Sequence, residues 1–189
     1  MTQTQTKLHT PEAYLDLEIN SSERHEYRSG EIIPMTGGTP NHNELMSIFN
    51  ALLRVSLRGQ PYSIFIADQR LWIPDFKIYT YPDVMVISRP VQLQEGRKDT
   101  VTNPLMIAEV LSQSTKNYDK DEKFAAYRSI PSFQEYLLID QYQIKVEHYY
   151  KAQANQWVFS EYKTREDSVQ LTSLPCEISL ADLYDDLQW

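Results

Sequence analysis

Tyr81-Pro82-Asp83-Val84-Met85-Val86-Ile87 and Ile107-Ala108-Glu109-Val110-Leu111 are two apolar, strand-like runs, and each carries one acid where a buried strand should carry none. An ionised carboxylate in an apolar layer is costly unless a cation or hydrogen bonds compensate it. Two such acids point to a divalent metal ion. Read with a period of two, Leu105, Ile107, Glu109 and Leu111 share one strand face, and Met106, Ala108 and Val110 share the other. Glu109 therefore interrupts an apolar face. Asp83 shares its face with Met85 and Ile87 but opens its strand after Pro82, a residue tolerated at a strand's beginning, which suits a sheet rim. Each acid also has a plainer reading, Asp83 as a turn residue and Glu109 as a strand acid facing solvent.

The 189 residues, 41% hydrophobic and 12% aromatic, supply material for one well-packed domain. No linker divides them, so 1–189 is read as a single domain with 1–9 as a frayed tail. The single cysteine, Cys176, excludes an internal disulfide and every multi-cysteine zinc pattern, and it fits a reducing cytoplasm. Any metal must then be held by oxygen or histidine ligands. Met1 to Thr6 lacks the basic and apolar regions of a secretory signal. No run approaches the roughly 20 apolar residues of a membrane-spanning helix, so no membrane partner is expected. The net charge of -8 counts against broad electrostatic binding of nucleic acid. Metal-site carboxylates contribute to that count, however, and a basic face can be local.

Along the chain, Pro11 to Leu17 predicts a short helix, and Ser29-Gly30 the turn of a hairpin spanning Glu26 to Met35. Asn41 with Glu44 has capping-box spacing, and Leu45, Ile48, Leu52 and Val55 form a stripe for a long helix through about Arg58. Gly59 ends it. Tyr62 to Ala67, Arg70 to Ile73, Val84 to Ile87 and Leu105 to Leu111 read as strands, with a polar loop over Gln92 to Thr102. Asp119 with Glu122 again has capping spacing, for a helix through Arg128 that Ile130-Pro131 closes. Glu135 to Ile139, Ile144 to Tyr150 and Trp157 to Tyr162 predict a meander, and Leu180 to Leu187 a final helix. The order predicts an α/β fold: a mixed β-sheet flanked by helices, with an N-terminal hairpin and a C-terminal β-meander.

Pro82-Asp83 heading one strand, an acid in a second and a lysine on a helix resemble the PD-(D/E)XK nuclease superfamily. More specifically, several segments resemble, in order and spacing, the Uma-type restriction endonuclease family common in cyanobacteria. They are Glu26-Tyr27-Arg28-Ser29-Gly30-Glu31-Ile32-Ile33-Pro34-Met35, His42, Tyr81 to Val84, Glu109 to Thr115, Asp119, Lys123, Tyr127 and Glu135 to Asp140. The resemblance implies a restriction-endonuclease-like sheet, often in a homodimer, DNA as substrate, and Asp83 and Glu109 as acids that hold Mg²⁺ or Mn²⁺. One departure stands out. The superfamily has a lysine two positions after the second acid, and here that position is Leu111. Lys123, at a helix position where the family has a lysine, is the candidate replacement as third catalytic residue, and Tyr127 lies one helical turn on along the same face. The plainer reading makes them an exposed or half-buried helix pair.

Residues of a second rank follow. His42 lies at the start of the first long helix, where the family has a histidine, and is either a metal or phosphate ligand or a structural histidine. Glu44 could supplement the acids, although its capping position explains it. Asp68 could join the acid cluster, and Arg70 could contact phosphate or form a hairpin ion pair. Trp72, Tyr79 and Tyr81 could stack bases or fill the core. The leading function is metal-dependent hydrolysis of DNA phosphodiester bonds. The alternative is a nuclease fold that has lost its chemistry and serves as a binding or regulatory module.

Overall fold

Met106–Leu111, the strand that carries Glu109, is buried at every position because it lies in the middle of a six-stranded sheet. A computed structural model describes residues 8–113, 116–185 and 187; positions 1–7 of the predicted tail and Ser114-Thr115 of the quoted motif lie outside them. The chain runs α1 (Pro11–Asn20), β1 (His25–Arg28), β2 (Glu31–Pro34), α2 (Pro40–Ser56), β3 (Tyr62–Ile66), β4 (Arg70–Ile73), β5 (Ile78–Thr80), β6 (Val84–Ser88), β7 (Thr100–Val101) and β8 (Met106–Leu111). It continues through α3 (Lys116–Tyr118), a π-helical stretch (Asp119–Lys123), α4 (Phe124–Tyr127), β9 (Glu135–Asp140), β10 (Val146–Gln153), β11 (Gln156–Tyr162), β12 (Ser168–Gln170), β13 (Glu177–Ser179) and α5 (Leu180–Leu183).

The central sheet has the order β11-β10-β9-β8-β6-β3. Within this sheet, among the described residues, only β8 and β9 pair in parallel, joined by the helical segment 116–127, while β9, β10 and β11 form the antiparallel meander. The hairpin β1-β2 belongs to a second sheet of order β2-β1-β5-β4-β7, and β12 pairs with β13. The period-two reading of β8 holds. Met106, Ala108 and Val110 pack with Leu45, Phe49 and Leu53 of α2 and with Leu180, Leu183 and Tyr184. Ile107 and Leu111 pack on the opposite face with Leu71, Ile73 and Ile78 of the second sheet and with Tyr127. Both faces of the strand are covered, which is why its sequence is almost continuously apolar.

The cap of α2 differs from the expectation. Thr39 takes the position, its Oγ1 accepting from the His42 amide at 3.2 Å with Pro40 in the first turn, so Asn41 and Glu44 are not the capping pair. The sheet contact selects the narrow stripe Leu45, Phe49, Leu53, and Val55 is 78% exposed. Asp119 is likewise no cap, since the helical backbone already begins at Lys116 and Asp119 is buried. β5, β7, β12 and β13 have two or three residues each, too few for a visible period. Tyr79 and Tyr81 are buried, and Trp72 stacks on Tyr79 with ring centroids 4.1 Å apart, so these aromatics are core rather than base-stacking platforms. No described helix is long and apolar enough to cross a membrane.

The phase of α2 is directly testable. Phe49→Ala should lower the unfolding free energy by about 3–5 kcal/mol in urea denaturation, and Val55→Ala should stay within about 0.5 kcal/mol. The reverse order would contradict this packing.

Candidate active site

The register of β6 against β8 pairs Met85 with Ile107 and Val84 with Ala108, so the next position sets Asp83 opposite Glu109 at the rim of the sheet. The two acids are tied reciprocally through the backbone. The Asp83 amide donates to Glu109 Oε2 at 3.2 Å, and the Val110 amide donates to Asp83 Oδ2 at 2.8 Å. From α2, His42 brings Nε2 to 3.2 Å from Asp83 Oδ2. Its helix start is held in place by a Thr39–Gln141 hydrogen bond, with Gln141 Nε2 donating to the Leu111 carbonyl at 2.7 Å. Gly38 closes against the ring, where a Cβ would stand 2.9 Å from His42 Nδ1.

Helical residues complete the far side. Glu109, only 3% exposed, accepts from the Tyr127 hydroxyl at 2.7 Å and from Lys123 Nζ at 3.2 Å, both on Oε1. Lys123 Nζ also lies 3.1 Å from Asp119 Oδ1 and 3.6 Å from Glu26 Oε1. Leu111 is packed in the apolar layer, so the ammonium reaches Glu109 from the helix rather than from the strand. The π-helical stretch is where the turn widens, a feature common at functional sites, and Asp119 and Lys123 are the two residues it buries. Arg28 adds a second cation: its guanidinium lies 3.4 Å from the Tyr118 ring centroid, with Nε donating to Glu26 Oε2 at 3.1 Å.

Tyr127 and Leu111 apart, these groups line a cavity of about 590 Å³. Four carboxylates face it (Glu26, Asp83, Glu109 and Asp119), against Lys123, Arg28 and His42. Burial pushes Glu109 up to about 8, opposed by the Lys123 charge and reinforced by Asp83 and Asp119. For Lys123, burial alone would lower its pKa, but Glu109, Glu26 and Asp119 hold it well above the ordinary lysine range. For His42, the hydrogen bond and charge of Asp83 outweigh burial and raise it. The result is a charged ammonium shared among three acids. Once Glu109 gives up its proton the four carboxylates outnumber the three basic groups, and their oxygen atoms suit a divalent cation. Among the described residues no three His, Cys, Asp or Glu side chains form a ready-made metal cage.

Of the predicted residues, Asp83, Glu109, Lys123, Tyr127 and His42 come together. Glu44 does not, because it is exposed on the outer face of α2. Asp68 follows β3 as the chain leaves the central sheet for the second one; its side chain is 82% exposed, with Oδ1 3.6 Å from Arg24 Nε. Arg70 is bound into a separate buried network, donating to the Tyr81 hydroxyl at 2.9 Å and pairing with Asp99 at 3.4 Å. Two participants had no assigned role. Asp119 was hidden by its capping spacing, and Glu26 shares a strand face with Arg28 by alternation, a signal that does not say which face meets the acids.

Glu109 and His42 both bind protons more tightly in the folded protein than unfolded, so the metal-free protein should lose stability as pH rises from about 4.5, the unfolded carboxylate value, to about 8. Glu109→Gln should flatten that slope in urea unfolding followed across pH. An unchanged slope would show that Glu109 is not the perturbed group.

Comparison with known proteins supplies the relatives. An uncharacterised Synechocystis sp. protein, sll1609, is 46% identical over 156 residues, covering 82% of this chain and 88% of that one. A second, slr1290 from the same organism, is 33% identical over 177 residues, covering 93% and 90%. A crystal structure of "a putative nuclease belonging to DUF820" from Anabaena variabilis superposes with a TM-score of 0.75 at 18% identity, covering 94% of this chain and 98% of that one. The shared architecture is the restriction-endonuclease-like fold. The model of the Uma2 family, described as "Putative restriction endonuclease", matches residues 11–182, and the chain belongs to that family.

Proposed function

We propose that this chain is a divalent-metal-dependent endonuclease that hydrolyses phosphodiester bonds in DNA. The observation that carries the reading is the reciprocal Asp83–Glu109 pair at the sheet rim with the Lys123 ammonium 3.2 Å from Glu109. Asp83 and Glu109 would hold Mg²⁺ or Mn²⁺. When bound, such an ion polarises the phosphoryl oxygen and lowers the pKa of a coordinated water. Lys123, kept charged by its three acids, orients the attacking water and offsets charge that builds on the phosphate. Tyr127 holds Glu109 by its Oε1, and His42 holds Asp83 by its Oδ2. Arg28, pinned by Glu26 and Tyr118, keeps further donors of its five for a phosphate oxygen.

A homodimer would present two such centres to the two strands of a duplex, and it is the working form this reading favours. The free Cys176 supports a cytoplasmic setting.

A second reading is favoured by the occupancy of Glu109. Its Oε1 receives Lys123 and Tyr127, and its Oε2 receives the Asp83 amide, so protein donors already satisfy the carboxylate. Together with Leu111, this supports a nuclease fold that binds or regulates without turnover.

Plasmid and short-duplex cleavage in Mg²⁺, Mn²⁺ or EDTA separates the two. Metal-dependent turnover should fall at least about a hundredfold in Asp83→Asn, Glu109→Gln and Lys123→Met, with each variant still folded by thermal melting. DNA binding without turnover in either metal would defeat the nuclease reading and favour the module.

A further inference from the structure

The C-terminal end of α2 and the far end of β6 enclose a second pocket of about 450 Å³. Arg54, Arg58 and Arg89 line it together with Tyr62 and Phe65, and no Asp or Glu does. The arginines that pair with carboxylates among the described residues are Arg24, Arg28, Arg70, Arg97 and Arg165, none of them in this pocket. In a chain with 26 acids against 18 lysines and arginines, three arginines thus line one pocket at the edge strand β3 without one acidic neighbour in the lining. Complementing the helix dipole explains a cation in the last turn of α2. It does not explain Arg89, which comes from the end of a strand.

Two of the three are anchored with donors to spare. Arg54 donates to Asn50 Oδ1 at 3.1 Å and to the Ile64 carbonyl at 3.2 Å, and Arg89 Nε donates to Ser63 Oγ at 3.1 Å. Arg58 completes the cluster from the exposed turn after the helix. Anchored guanidinium forks match phosphate oxygens at little entropic cost. Tyr62 and Phe65, half-buried on opposite faces of β3, each add an apolar ring to the lining.

We propose that this pocket is a second phosphate-binding site, one that grips the backbone of a bound nucleic acid away from the acids. Asp83 and Arg89 bracket β6 at opposite ends, and six residues of strand span about 20 Å at ~3.3 Å each, so the phosphate held here is not the one beside Glu109. The site supplies binding rather than chemistry. It takes from the function proposed above only that the partner is nucleic acid, and does not need cleavage to occur.

Fluorescence anisotropy of a labelled short duplex in EDTA, titrated over a range of salt, tests it with the full chain. Arg58→Ala/Arg89→Ala leaves Arg54 and its bond to Ile64 intact. The double variant should bind at least about tenfold more weakly, and its log–log salt slope should shrink by about 2, near 0.9 per lost phosphate contact. Arg58→Lys/Arg89→Lys should keep most of that slope. Equal affinity and slope in wild type and the alanine variant would overturn the proposal. So would calorimetric binding of inorganic phosphate by a wild type that does not bind the duplex. If the duplex is bound with the expected slope loss yet never cleaved, the site stands and the nuclease reading falls; if it is cleaved, the alanine variant should raise KM and leave kcat unchanged.

Discussion

The structure depends on a short antiparallel register. With Val84 opposite Ala108, Asp83 falls opposite Glu109, and each acid accepts an amide from the other's strand. A slip of one residue in either strand would turn that strand's carboxylate to the α2 face, where Leu45, Phe49 and Leu53 make the layer apolar. The apolar residues on either side therefore specify the register, and the acids occupy the positions left at the rim. Their burial is tolerable because amide, hydroxyl and ammonium donors converge on them.

The ammonium comes from an unusual place. A lysine at position 111 would have to leave the layer formed with Ile107, Leu71 and Tyr127, which Leu111 fills. The helical segment between the two parallel strands supplies the cation instead, and the widened turn over Asp119–Lys123 buries both the lysine and an acid to share it. One ammonium then serves Glu109, Asp119 and Glu26, and its charge is divided. Burial is why Glu109 remains hard to ionise with a lysine 3.2 Å away, and the neighbouring charges of Asp83 and Asp119 add to it.

What was legible in the sequence was what repeats. β8, β6 and the meander carry enough alternating residues to show their faces, and the two acids stood out as breaks in those patterns. Lys123 and Tyr127, four residues apart, were legible as one helix face. What was not legible depends on contacts between distant segments. Thr39 and Asn41 both make acceptable caps; Pro40 at the first helical position and the Thr39–Gln141 contact select Thr39, which in turn aims His42 at Asp83. Asp68 and Arg70 are close to the Pro-Asp strand in sequence, but the chain crosses into another sheet between them and that strand. Asp119 has a local explanation in its spacing, and nothing local reveals that its helix begins three residues earlier.

The central claim is that Asp83 and Glu109 form one divalent-metal site. Calorimetric titration of Mn²⁺ into the wild type, Asp83→Asn and Glu109→Gln tests it without any choice of nucleic acid. One binding event in the wild type, tighter as pH rises and Glu109 gives up its proton, and absent from both folded variants, is the predicted result. Mn²⁺ binding that survives either substitution, or no binding by the wild type at any pH, would contradict it.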